Sequence, residues 1–192
     1  STTLDGATQL QNALPSITSS VEVTLKALQN VADSTSSIVT TIRQAIEDGQ
    51  LTDDEKAKID SLVKAYQASV PQQQEAIKNL IDFLQKAQES AGNNEFDTAI
   101  KNLNDLSALL GDISTRLGKV NEFVQAGDIS SIEAYLDQID DLAKNISGLV
   151  SQIDVQDITA KVQNVLTQLI DTIKNAQGLL TKAQAIDFES LL

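Results

Sequence analysis

The sequence predicts an all-α protein, an elongated antiparallel helical bundle or coiled coil of four to five long helices. Three observations lead there. Apolar residues recur in alternating steps of three and four over long stretches, the spacing that lines one face of a helix. No stretch sustains the period-two alternation of a half-buried strand. Only eight glycines and two prolines punctuate 192 residues, so the elements are few and long. A helix of about 40 residues spans about 60 Å, whereas a compact domain of this size is roughly 35 Å across. Long helices joined by short turns therefore imply an elongated bundle.

The first helix follows a seam of Leu10, Leu14, Ile17, Val21, Thr24, Leu28, Val31, Thr35, Ile38, Ile42 and Ala45. That is about five heptads. Pro15 either starts this helix or kinks it. Thr24, Thr35 and the run Asp33-Ser34-Thr35-Ser36-Ser37 weaken it through poor helix propensity. The second helix starts at Thr52, which forms a capping box with Glu55, while Asp53 and Asp54 favour the positive helix N-terminus. Its seam is Ile59, Leu62, Tyr66, Ser69, Ile77, Leu80, Leu84 and Ala87, and Pro71 is expected to kink or split it near Val70. Glu89 to Glu95 reads as a loop by its Gly and Asn content.

The third helix opens near Asn94 and carries Phe96, Ile100, Leu103, Leu106, Leu110, Ile113, Leu117, Val120 and Val124. Gly111 and Gly118 read as interruptions costing about 1 kcal/mol each against Ala. Gly127 ends that helix, and Ser130 with Glu133 is expected to form a second capping box. The fourth helix follows Ile132, Tyr135, Ile139, Leu142, Ile146, Leu149 and Ile153. Asp154 to Asp157 reads as a break. The fifth follows Ile158, Val162, Val165, Leu169, Ile173, Ala176, Leu180 and Ala183, and the period fades in the closing residues.

Composition bounds the chemistry. Hydrophobic residues are 41% of the chain and aromatic ones 3%, so the expected core is sizeable and aliphatic. The absence of Cys and His excludes ordinary zinc sites, cysteine nucleophiles and Ser-His-Asp triads. Fourteen Lys and Arg against 27 Asp and Glu leave a net charge of −13, which opposes nucleic-acid backbones and anionic lipid surfaces. No Met, no signal peptide and no apolar run near ~18 residues are present. Residues 1–192 are therefore expected to be a single excised or processed segment with no span of its own; if its parent is a membrane protein, this is the soluble part, membrane-bound only through flanking segments.

Three candidate sites need weighing. Asp48, Gly49, Leu51 and Glu55 match positions five, six, eight and twelve of a calcium loop. Gln44 and Ile46 then occupy positions one and three inside the preceding helix, and Ile46 offers no ligand. A helix stop at Gly49 and a start at Thr52 explain the same letters. Glu133, Asp137, Asp140 and Asp141 cluster on one helix, but paired-carboxylate catalysis needs two acids facing each other across a cleft. The aliphatic stripes suit either a core or a lipid surface. Lipid-binding faces are usually basic and aromatic, and these are neither, so packing is the preferred reading. No catalytic, cofactor or metal residue is assigned, and binding residues are left unassigned.

The segment Thr2 to Leu14, with Leu4, Asp5, Gly6, Ala7 and Leu10, resembles the Leu-x-x-Gly-x-x-x-Leu repeats of the phage infection protein (YhgE/Pip) family. Ala183 to Leu192 is similar to a segment recurring in those ectodomains, and the Gln/Ser/Thr-rich helical character between is similar too. Only one Gly-containing repeat is present, which places the chain in a non-repeat part. The resemblance implies the extracellular helical region of a polytopic membrane protein on a Gram-positive cell surface, related to EsaA-type secretion accessory proteins. The function expected from it is non-enzymatic: a stalk or interaction platform for protein partners, either phage virion proteins or secretion components, with a possible homodimer. It implies no cofactor and no site residue. A lipid- or hydrophobe-binding bundle and a phage-tail or adhesin fibre segment are the alternatives.

Overall fold

The computed structural model describes the backbone of residues 2–175 and the side chains of Asn12 and of residues 14–172. Five α-helices make up the described chain: α1 (Thr2–Ile46), α2 (Asp53–Ala91), α3 (Asp97–Ala126), α4 (Ile132–Gln152) and α5 (Val155–Asn175). A 3-10 turn at Ile129–Ser131 precedes α4. The all-α class therefore stands, with no strand among the described residues. No helix there is long and apolar enough to cross a membrane.

Helix ends follow local chemistry. Gly49 takes φ 78°, a left-handed conformation in which glycine carries no Cβ penalty, and its N–H closes α1 on Ile46 O at 3.0 Å. Glu55 N–H then donates to Thr52 Oγ1 (3.1 Å) and Thr52 N–H donates to Glu55 Oε1 (2.9 Å), the reciprocal capping box. Gly127 (φ 72°) ends α3, with Asp128 N–H donating to Phe123 O at 2.9 Å. The expected box of Ser130 and Glu133 does not form. Ser130 and Ser131 donate instead to the Asp128 carboxylate (3.0 and 2.7 Å), which holds that acid below the usual carboxylate range, and Glu133 is drawn to Arg43.

Pro15 does not start its helix and Pro71 does not split its own. Pro15 lies inside α1, which already begins at Thr2, so it does not start that helix. Pro71 lies on the exposed side of an unbroken α2. Burial of Val70, Ile77 and Leu80 around it outweighs its cost of about 3 kcal/mol. The break before α5 is only Ile153 and Asp154, whose Oδ1 accepts from Asp157 N–H at 3.1 Å and caps the new helix. Ile173, Ala176, Leu180 and Ala183 fall outside the described side chains.

The chain divides into two compact units. Unit 1 takes in Glu75–Asn104, the described residues up to Leu25 and those from Ile153 onward. Its core includes Ile17, Val21, Leu80, Phe83, Leu84 and Phe96, closed on the α5 side by Val162, Val165 and Leu166. Thr18 and Thr159 hydroxyls join α1 to α5 at 3.1 Å.

Unit 2 comprises Lys26–Gln74 and Asp105–Gln152, and its four helical segments form a closed ring. Side-chain bonds place the neighbours: Gln67 and Gln74 join α2 to α3, Arg116 and Gln138 join α3 to α4, and Gln29 and Ser147 join α4 to α1. The short turn at Gly49 joins α1 to α2. Residue numbers rise on one partner as they fall on the other, as in an antiparallel up-down-up-down bundle. The face of α1 is wider than a two-residue seam, since Ala32 and Val39 are buried beside Leu28, Thr35 and Ile42. A face this wide packs against two neighbours rather than one. Buried Thr35 satisfies its hydroxyl by donating back to Val31 O at 2.8 Å.

Candidate functional site

Unit 2 carries three polar or concave features that could hold function. The first joins α1 to α4. Glu133, Asp137 and Asp140 recur at steps of four and three, so they share one face of α4. All three converge on Arg43, at 3.3, 2.5 and 2.7 Å. The hydrogen bond that Arg43 donates to Asp140 is the main reason the guanidinium's pKa is raised further. Asp141 is exposed and takes no part. The sequence thus located the cluster but not its centre, because Arg43 lies 90 or more residues away in the chain. Three carboxylates held by one cation form a clamp between helices. No pair among them faces another across a cleft.

The second feature is a ladder between α2 and α3. Gln74 Nε2 donates to Ser107 O at 3.1 Å, and Gln67 Nε2 donates to Ser114 O at 3.2 Å. Each carbonyl lies four residues before a glycine, Gly111 or Gly118. A Cβ on Gly118 would stand 2.9 Å from Gln67 Nε2, and one on Gly111 would stand 3.6 Å from Gln74 Nε2. Gly118 therefore opens the helix surface for the Gln67 amide, whereas at Gly111 a Cβ would make only an ordinary contact with Gln74. Further along, Asn121 Nδ2 donates to Asp60 Oδ1 at 2.9 Å and Gln125 Nε2 donates to Lys56 O at 2.9 Å. The Asn121 bond, aided by Lys64, holds the Asp60 carboxyl below its ordinary range. Read from sequence alone, the glycines are interruptions and the glutamines carry no assigned role. The available signal was their shared spacing of seven.

The third feature is a groove of about 670 Å³ between α1 and α2. Ala27, Val31, Ile38, Leu62 and Ala65 supply its apolar lining, and Lys58 is the one charged residue on it. Tyr66 also lines it, is only 5% exposed, and has no hydrogen-bond partner for its hydroxyl. Burial pushes the phenol up to about 12, with the Thr35 hydroxyl working weakly against that rise. Thr35 itself donates to Val31 O.

The calcium-like stretch is occupied by its own turn. Asp48 Oδ1 accepts from Gln50 N–H at 3.1 Å, and Glu55 is held in the capping box. Gln44 and Ile46 are within α1. No family model matches the chain, and no curated protein or solved structure matches it either.

Proposed function

We propose that this chain is a non-enzymatic helical interaction module, displayed on the outer face of a bacterial cell membrane, whose partners are proteins. One observation carries this reading: the carboxylates best placed for chemistry are spent on structure, with Glu133, Asp137 and Asp140 all turned onto Arg43. The polar side chains of unit 2 that reach another helix likewise serve to hold helices in register. The resemblance of Thr2 to Leu14 and of Ala183 to Leu192 to phage infection protein ectodomains supports the surface placement, with virion proteins or secretion components as partners and a second copy as a possible one.

The chain has no cysteine, so one introduced at exposed Gln50 is a unique label. In its own host, the protein carrying Gln50→Cys should react with a membrane-impermeant maleimide on intact cells beyond any labelling of the unsubstituted protein. Reaction only after lysis would sink the surface placement. The purified chain should also compete with virion adsorption or with a secretion complex, and absence of competition in both assays would remove the partner assignment.

A further inference from the structure

We propose that the α1–α2 groove of unit 2 is a binding site for a single-chain anionic amphiphile of the long-chain fatty-acid type, with its carboxylate at Lys58 and its chain running toward Ala27 and Gln73. This is independent of the interaction role above. Thr41 and Lys58 lie at the end nearest the Gly49 turn, and Ala27 and Gln73 at the other. From Ala27 to Thr41 the groove follows 14 helical steps, about 21 Å at 1.5 Å per residue. An extended acyl chain advances about 1.3 Å per carbon, from C–C bonds near 1.5 Å in a zigzag. About 16 carbons therefore fill the groove from end to end.

Charge selects the head group. The chain carries −13, yet the groove carries one formal charge, and that charge is positive. Among the described residues Lys58 has no carboxylate within ion-pair distance. Lys58 gives a single anionic head group its one positive partner on the groove, while the acidic residues of the adjoining turn, among them Asp54 and Glu55, repel a polyanion more strongly than a monoanion. The groove between α3 and α4 differs here, because Asp105 and Lys144 both line it and no single sign is favoured. The second pointer is Tyr66, buried in the lining with an unpartnered hydroxyl, an arrangement rare in a finished core.

The test uses a polyene fatty acid that fluoresces in apolar surroundings, added to the whole purified chain and displaced by palmitate. The absence of Trp keeps the background low. Saturable binding of one molecule per chain is expected. Lys58→Gln should weaken palmitate about tenfold, as for loss of a charged hydrogen bond, and leave hexadecanol unchanged. Ala65→Trp should block the groove, and Ala57→Trp, on an exposed position outside it, should not. If Ala65→Trp fails to fold by circular dichroism, Ser34→Leu replaces it. Lack of saturable binding overturns the proposal, as does equal binding by the blocked variant or no effect of Lys58→Gln. A dimer that Ala65→Trp converts to monomer, with no fatty-acid binding, would assign the groove to a helix of a second copy instead and also overturn it.

Discussion

Helix α2 treats its two neighbours in unit 2 differently. Toward α3 it approaches closely enough for side-chain amides to reach backbone carbonyls, and at Gly118 the missing side chain leaves the room that the Gln67 amide takes. Toward α1 it leaves a groove, and under that groove a tyrosine hydroxyl lacks a partner. Close approach comes from pairing a long polar residue with no side chain at all. Where α1 presents Ala27, Ser34, Ser37 and Thr41, the space is neither filled by bulk nor closed by a bond. Small residues alone do not make a tight interface; they need a partner long enough to use the space.

The largest test of that contrast compares two leucines. Leu117, fully buried in α3, should cost about 2–5 kcal/mol when changed to Ala, because transfer energy and a cavity are both lost. Leu62, half-buried on the groove, should cost about 1 kcal/mol or less. Urea denaturation gives both values, and similar costs would show that the groove side is packed as tightly as the core. Next comes Tyr66. Replacing it with Phe removes an unsatisfied hydroxyl and should raise stability by about 1 kcal/mol at neutral pH. Its folded pKa of about 12 exceeds the ordinary value of 10.0, so its contribution is complete below pH 10 and is lost as the pH rises toward 12. Denaturation at pH 8 and pH 11 should show a smaller alkaline decline in Tyr66→Phe than in the parent, and matching declines would contradict the burial argument. The smallest effect is a coupling. Gly118→Ala should gain about 1 kcal/mol in helix propensity and lose about as much by displacing the Gln67 amide. It should be nearly neutral in the parent but stabilising by about 1 kcal/mol when Gln67 is already Ala. Equal effects in both backgrounds would leave the ladder without energetic weight.

Much of the fold was legible, unevenly so for physical reasons. Every seam residue assigned to α3 is buried, from Phe96 to Val124. On the other helices most seam residues are buried too, but at five positions the buried residue is the next one along: Leu25 rather than Thr24, Val63 and Val70 rather than Leu62 and Ser69, Leu136 and Ala143 rather than Tyr135 and Leu142. In each pair the alternative also fits the period, and which member turns inward depends on neighbours that a single helix does not reveal. Capping at Thr52 and the stop at Gly49 were legible because they are local. The expected split at Pro71 is absent because tertiary burial outweighs a local cost. Arg43, Gln67 and Gln74 escaped notice because each acquires meaning only from a partner on another helix, and Tyr66 was legible as a seam residue but its hydroxyl was not.

The ladder has a consequence for how α2 and α3 find their alignment. Its rungs repeat every seven residues, so a slip of three or four would lose both bonds, whereas a slip of seven would still set Gln67 against Gly111 and Ser107. The rungs work like the teeth of a ratchet, forbidding intermediate stops without choosing among whole ones. The choice falls to single features that do not repeat: the Asn121–Asp60 bond, the Gln125 reach to Lys56 O, and the short link between Ala91 and Asp97. A slip of seven residues would shift the helices by about 10 Å, a displacement that this short link opposes. Lengthening that link would therefore release a second, discrete alignment rather than a continuum of loose ones.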